Sequence, residues 1–210
     1  MLGAIIGDMA GSIYESSNAK TKDIDLIDYC MRMTDDSLLT IAVARVLMKF
    51  FPFSYEKETI EEMQQNLVKE FVLTWFFNQN AGFGKMFTEW CIDVLAGKGR
   101  PYNSFGNGAA MRISPVGWMA KSEEEVKKLS RIVTEITHNH PEGIKGAEAV
   151  AMAIYLALHG ASKKQIKERM IKDYYPKIKS LDFDDLKEHY SFWPICQESV
   201  PQANYCFFDF

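Results

Sequence analysis

Apolar positions along this chain recur with a helical period, and no segment shows strand-like alternation or a βαβ rhythm. Residues 2–14 are apolar and seeded with Gly3, Ala4, Gly7, Ala10, Gly11 and Ser12, which predicts a helix that another helix approaches closely, with Gly7 and Gly11 at the contact. Residues 16–32 are polar and irregular and read as a mobile surface loop. The apolar pattern from Leu38 to Leu47 predicts a core helix ending near Phe50-Phe51-Pro52. Glu56 to Asn80 holds one or two amphipathic helices, with Met63, Leu67, Phe71, Leu73, Trp75 and Phe76 as the core stripe, broken by Gly82-Phe83-Gly84. Another helix runs from about Met86 to Leu95 and stops at Gly97 and Gly99. Ser122-Glu123-Glu124-Glu125 reads as a capping box opening a surface helix to about Glu135. An alanine-rich helix follows Pro141 through Leu158. Residues 161–190 are charged, and helical or irregular. The stretch Phe192 to Phe210 is unusually apolar for a chain end and reads as a core helix. The expected fold is all-α, without internal repeats.

Composition narrows the class. With 210 residues, 47% hydrophobic and 25% charged, the chain has room for one large core or at most two small ones. The net charge of −4, with every basic run interleaved with acids or on a helix face, argues against a nucleic-acid partner. Cys30, Cys91, Cys196 and Cys206 are scattered without a C-x-x-C pair and read as buried free thiols. The apolar start lacks a preceding positive region and is interrupted by Asp8, so no signal peptide is expected. No stretch approaches the length of a membrane span. A cytoplasmic location is the resulting expectation.

Candidate chemistry concentrates in Thr34-Asp35-Asp36-Ser37, the first turn of the predicted core helix. Thr34 suits an N-cap, and one acid there would answer to the helix dipole. Two neighbouring acids lie about 100° apart on a helix and cannot both answer to one cap. Driven toward a core, they would repel unless a cation sat between them, and an oxygen-only donor set suits Mg²⁺ rather than zinc. Asp8 is an acid set within an otherwise apolar face, and Glu15 stands where that pattern ends. Gly106-Asn107-Gly108 forms a turn of residues that tolerate positive φ, leading into a helix from Ala109; its amides either hold an oxygen-rich ligand or simply make a turn. His138 and His140, two residues apart before Pro141, lack zinc-ligand spacing, and a lone histidine lining a cleft is the better reading.

Four stretches together resemble the ADP-ribosylglycohydrolase family. Gly3-Ala4-Ile5-Ile6-Gly7-Asp8-Met9-Ala10-Gly11-Ser12-Ile13-Tyr14-Glu15 is similar to the family's opening motif. Thr34-Asp35-Asp36-Ser37 resembles its T-D-D-T motif, with serine in the last place. Phe105-Gly106-Asn107-Gly108-Ala109-Ala110-Met111-Arg112 resembles its G-N-G-A-A-M-R segment, and Thr137-His138-Asn139-His140-Pro141-Glu142-Gly143 its T-H-x-H-P-E-G stretch. The resemblance implies an orthogonal multi-helical bundle around a binuclear Mg²⁺ site, and hydrolysis of the glycosidic bond between ADP-ribose and a protein side chain or small molecule. It implies Thr34, Asp35 and Asp36 as metal ligands, with Glu15 reaching the metal or the attacking water from a mobile loop. Ser104, Gly106, Asn107, Gly108, Met111 and His138 would line the ADP-ribose cleft. For Asp8 it suggests no role beyond packing or support.

The family's late G-x-D-S-D-T motif, which would complete the binuclear site, has no counterpart; Asp182-Phe183-Asp184-Asp185 has the acids without the hydroxyl. Residues 1–210 are accordingly expected to form a single domain, incomplete at its C-terminus and holding one Mg²⁺ or none. An apolar patch at Phe207, Phe208 and Phe210 would then favour a homo-oligomer. The alternative function is a catalytically impaired remnant that binds ADP-ribose or serves a structural or interaction role.

Overall fold

The first well-capped helix sets the frame. Thr34 is extended, its hydroxyl accepts the Asp36 amide at 3.3 Å, and the chain turns helical at Asp35. The computed structural model describes residues 1–15, 19 and 26–209, so most of the expected loop over 16–32 lies outside the described residues, as does Phe210. Before Thr34 comes α1 (Leu2–Gly11), and after it α2 (Asp35–Lys49) and α3 (Lys57–Phe77). Then follow α4 (Lys85–Leu95), two short helices α5 (Gly108–Met111) and α6 (Ser114–Met119), and α7 (Glu123–Thr134). The chain closes with α8 (Pro141–Leu158), α9 (Lys163–Asp173), a 3-10 turn (Pro176–Ser180), α10 (Phe183–His189) and α11 (Cys196–Asp209). The fold is all-α, and no described helix is long and apolar enough to cross a membrane.

Two helices organise the packing. α2 lies against α1, α3, α5 and α6, while α8 touches α5, α6, α7, α9 and α11. The short pair α5–α6 joins the two hubs, which places the Gly106-Asn107-Gly108 turn between them. Small residues on α8 permit this crowding. A Cβ at Gly146 would collide with the Cys196 side chain, and one at Gly143 would stand 2.7 Å from the Ser104 carbonyl.

Several expectations need correction. Among the described residues the close packing predicted at Gly7 and Gly11 does not occur: a Cβ at Gly3, Gly7 or Gly11 would meet none of their atoms within 4 Å, and α1 buries no residue. On α3, Leu73 and Phe76 are exposed and Val72 is buried instead. Met63, Leu67, Phe71 and Trp75 recur every four residues along one face, and Leu73 falls well off that line. The capping box at Ser122 is half formed: Ser122 accepts the Glu125 amide, but Glu125 turns its carboxylate to the Lys121 amide. Cys91 and Cys196 are buried free thiols as expected, whereas Cys30 and Cys206 are exposed.

Candidate functional site

The N-terminus of α2 is held by an acid from another helix. The Asp8 carboxylate accepts the Thr34 amide at 3.0 Å, the Thr34 hydroxyl at 2.5 Å and the Ser37 amide at 3.2 Å. One carboxylate thus satisfies donors that the start of a helix leaves open, and its charge suits the positive end of the dipole. With Asp8 and the Thr34 hydroxyl occupied in capping, Asp35 and Asp36 are left facing a cleft. The Asp35 amide donates to the Ala81 carbonyl at 3.0 Å, tying the turn to the loop before α4.

These two carboxyls are electrostatically costly. Burial raises Asp35 to about 6; Glu15 and Asp8 push the same way, and its own backbone amide and Arg112 partly oppose them. Asp36 rises to about 7, through burial first and then repulsion from Asp35, Asp8 and Glu15. Glu15, in the turn after α1, is also raised by burial and by Asp8. Such a cluster calls for positive charge. Arg32 acts on Glu15 and Arg112 on Asp35; Arg112 is 1% exposed, and its Nε and Nη1 lack partners among the described residues. Its guanidinium stacks 4.4 Å from the Phe71 ring, and burial lowers its own affinity for a proton to about 10.

The opposite wall is the glycine turn. An isolated antiparallel bridge pairs Gly106 with Ile195, and the Asn107 amide donates to the Pro194 carbonyl at 3.1 Å. The Gly106 amide donates to Ser104 Oγ, also at 3.1 Å, which leaves the Ser104 hydroxyl proton for another partner. Two amides expected to greet a ligand are therefore already engaged. Positive φ is not the reason for these glycines, since Asn107 has φ −74° and the left-handed residue nearby is Asn103 at φ 52°. The reason is proximity: a Cβ on Gly108 would stand 3.3 Å from His138 Nε2, and one on Gly106 3.1 Å from Ser104 Oγ. His138 is buried and neutral, brought down to about 2 by burial with the Arg112 charge adding to it. His140 turns away to cap α8, accepting the Glu142 amide at 3.1 Å.

Glu15, Asp35, Asp36, Ser104, Gly106, Asn107, Gly108, Met111 and His138 all line this one cleft of about 540 Å³. Thr34 stands behind it, 2% exposed. Three features go beyond what the motifs suggest: Asp8 as the anchor of α2, and, on the cleft itself, Arg112 at its floor and an aromatic rim of Tyr102, Tyr190, Phe192 and Trp193. Arg112 was legible as a lone charge in the apolar run Ala109 to Ile113, and the Tyr190, Phe192 and Trp193 part of the rim as an aromatic cluster after residue 189.

The family model of ADP-ribosylglycohydrolase matches residues 1–209. The chain belongs to the ADP-ribosylglycohydrolase family. It is 25% identical over 216 residues to ADP-ribosylhydrolase ARH3 of Gallus gallus, covering 88% of this chain and 55% of that protein. The human ARH3 is likewise 25% identical, with 88% and 55% covered, and the Mus musculus protein is 24% identical, with 79% and 50% covered. The chain spans about half the length of these relatives. Within this ADP-ribosylglycohydrolase chain, Asp35 and Asp36 are carboxylates facing the cleft, with Glu15 lining it as well. No group of three or more His, Cys, Asp or Glu side chains that could hold an ion forms among the described residues. Two hard carboxylates short of positive charge do suit Mg²⁺, which keeps several waters and is commonly held by one or two carboxylates.

Proposed function

We propose that the cleft binds the ADP-ribosyl group and hydrolyses its glycosidic bond to a protein side chain or small molecule. The observation that carries this reading is the convergence of Asp35, Asp36 and Glu15 with the Ser104–Gly108 turn and His138 on one cleft, in a chain of this family. The names of the ARH3 relatives support the same chemistry. Breaking the bond at the anomeric carbon builds positive charge on the ribose, which ionised Asp35 and Asp36 stabilise across a poorly solvated cleft. Glu15, whose proton affinity is raised by burial and by Asp8, takes the proton from the attacking water, and the group released as the anomeric bond breaks leaves with a proton from solvent. Ser104 donates its free hydroxyl proton to an oxygen of the ligand, and the aromatic rim covers the base. Asp35 and Asp36 would hold Mg²⁺, with Thr34 behind them; when bound, the ion supplies charge that orients ribose hydroxyls and makes a water more acidic.

The test is release of ADP-ribose from arginine- and serine-modified peptides by the purified chain with Mg²⁺. Turnover that falls about 10²-fold in Glu15→Gln supports the assignment of a general base; no release from any substrate contradicts hydrolysis. A second reading, binding without turnover, is favoured because Asp35, Asp36 and Glu15 do not draw together into a group that could hold an ion among the described residues. It predicts saturable ADP-ribose binding in a chain that releases nothing.

A further inference from the structure

His138 does not stand alone behind the glycine turn. Its Nδ1 lies 2.8 Å from Thr137 Oγ1, and Arg112 Nη2 donates to that same Oγ1 at 2.6 Å. Arg112 and Thr137 are 1% and 0% exposed, so water does not compete for these bonds. A guanidinium only donates, so the Thr137 oxygen receives from Arg112 and keeps one proton to place. Two acceptors are in range: His138 Nδ1 at 2.8 Å and the Thr134 carbonyl at 3.5 Å. The nearer one is by far the better bond. An Nδ1 that accepts must leave the imidazole proton on Nε2, and Nε2 is the atom 3.3 Å from where a Gly108 Cβ would stand, in the cleft wall.

We propose that Arg112 and Thr137 act as positioning residues that lock His138 as the Nε2–H tautomer, so that it presents a hydrogen-bond donor beside the Gly106–Gly108 turn. The ligand group that fits is an uncharged or anionic oxygen acceptor, as on a phosphate or a sugar hydroxyl. A cation or an N–H donor finds no partner there. Glycine at 108 keeps Nε2 reachable. The fully buried Arg112, which also eases the charge on Asp35, gains a second purpose: it fixes the direction of the Thr137 proton and discourages a second proton on the ring. Identifying the acceptor as part of ADP-ribose rests on the proposed function; the tautomer itself does not.

The experiment is ¹⁵N NMR of histidine-labelled full-length chain without ligand, with the His138 signals assigned by their loss in His138→Gln. The expected spectrum has protonated Nε2 and bare Nδ1, which become an exchanging mixture in Thr137→Val and return to the single form in Thr137→Ser. Protonated Nδ1 in the wild type overturns the proposal. An unchanged tautomer in folded Thr137→Val overturns it as well. Titration with ADP-ribose then separates the two claims: affinity about fivefold weaker in Thr137→Val, restored in Thr137→Ser, matches loss of one neutral hydrogen bond. Should the wild type bind no ADP-ribose while the tautomer is as expected, the functional reading fails and the relay stands.

Discussion

Asp36 is the residue whose setting is most at odds with its charge. Its carboxyl has an unfolded value near 3.8 and a folded value of about 7, so the folded state holds the proton more tightly. Below the unfolded value both states are protonated and stability is unaffected. As pH rises toward 7, ionising the buried group costs progressively more, and stability falls before levelling off. Asp36→Asn, neutral throughout, should therefore be more stable than the wild type in metal-free buffer at pH 8, with the gap closing toward pH 4; calorimetric melting across that range checks it. Added Mg²⁺ should raise the wild-type melting temperature at pH 8 and leave Asp36→Asn nearly unmoved. Asp8 has the opposite character, since its charge accepts three hydrogen bonds at the start of α2. Asp8→Ala should cost about 2 kcal/mol in urea unfolding, the scale of a lost cap and charged hydrogen bonds. The two kinds of acid differed in legibility. Asp35 and Asp36 were readable because their conflict is local, two charges in one turn. Asp8 was not, because its partners Thr34 and Ser37 lie 26 and 29 residues downstream and only docking of two helices brings them together.

At the scale of elements, the helices were legible from period and caps, and the contacts between them less so. The small-residue pattern of α1 suggested close helix packing, yet the glycines that carry such packing lie elsewhere. Gly143 and Gly146 on α8, and Gly117 on α6, have backbone or side-chain atoms where a Cβ would go. A sequence can show that a helix face is smooth but not which neighbour reaches it. Gly143→Ala should unfold the chain or cost about 2 kcal/mol or more, because the obstructing atom at 2.7 Å is the Ser104 backbone carbonyl, which cannot swing aside. Gly7→Ala should be neutral or slightly stabilising, by the higher helix propensity of alanine, since no atom of the described residues stands within 4 Å. Denaturant midpoints for the pair distinguish these cases. The glycine turn shows the same division. Its position at the head of a helix was readable, whereas its purpose, room for His138 beside the 194–196 segment, depends on His138 and Ile195, far along the chain.

Across the whole molecule, α2 and α8 bring motifs from four separate stretches to one cleft, which is why the candidate site could be read in order along the chain. The surface carries apolar residues away from that cleft: Leu2 is 76% exposed, Ile6 64% and Phe207 47%. Such exposure favours association, and sedimentation should show self-association of the isolated chain that Leu2→Glu/Ile6→Glu reduces without altering ligand binding. Isothermal titration with Mg²⁺ and then ADP-ribose, on the wild type and on Asp35→Ala/Asp36→Ala, reads whether the cleft binds its ligand through the paired acids. The account predicts saturable ADP-ribose binding in the wild type that is lost in the folded double variant. Flat traces from folded wild type, or equal binding by both proteins, would contradict it.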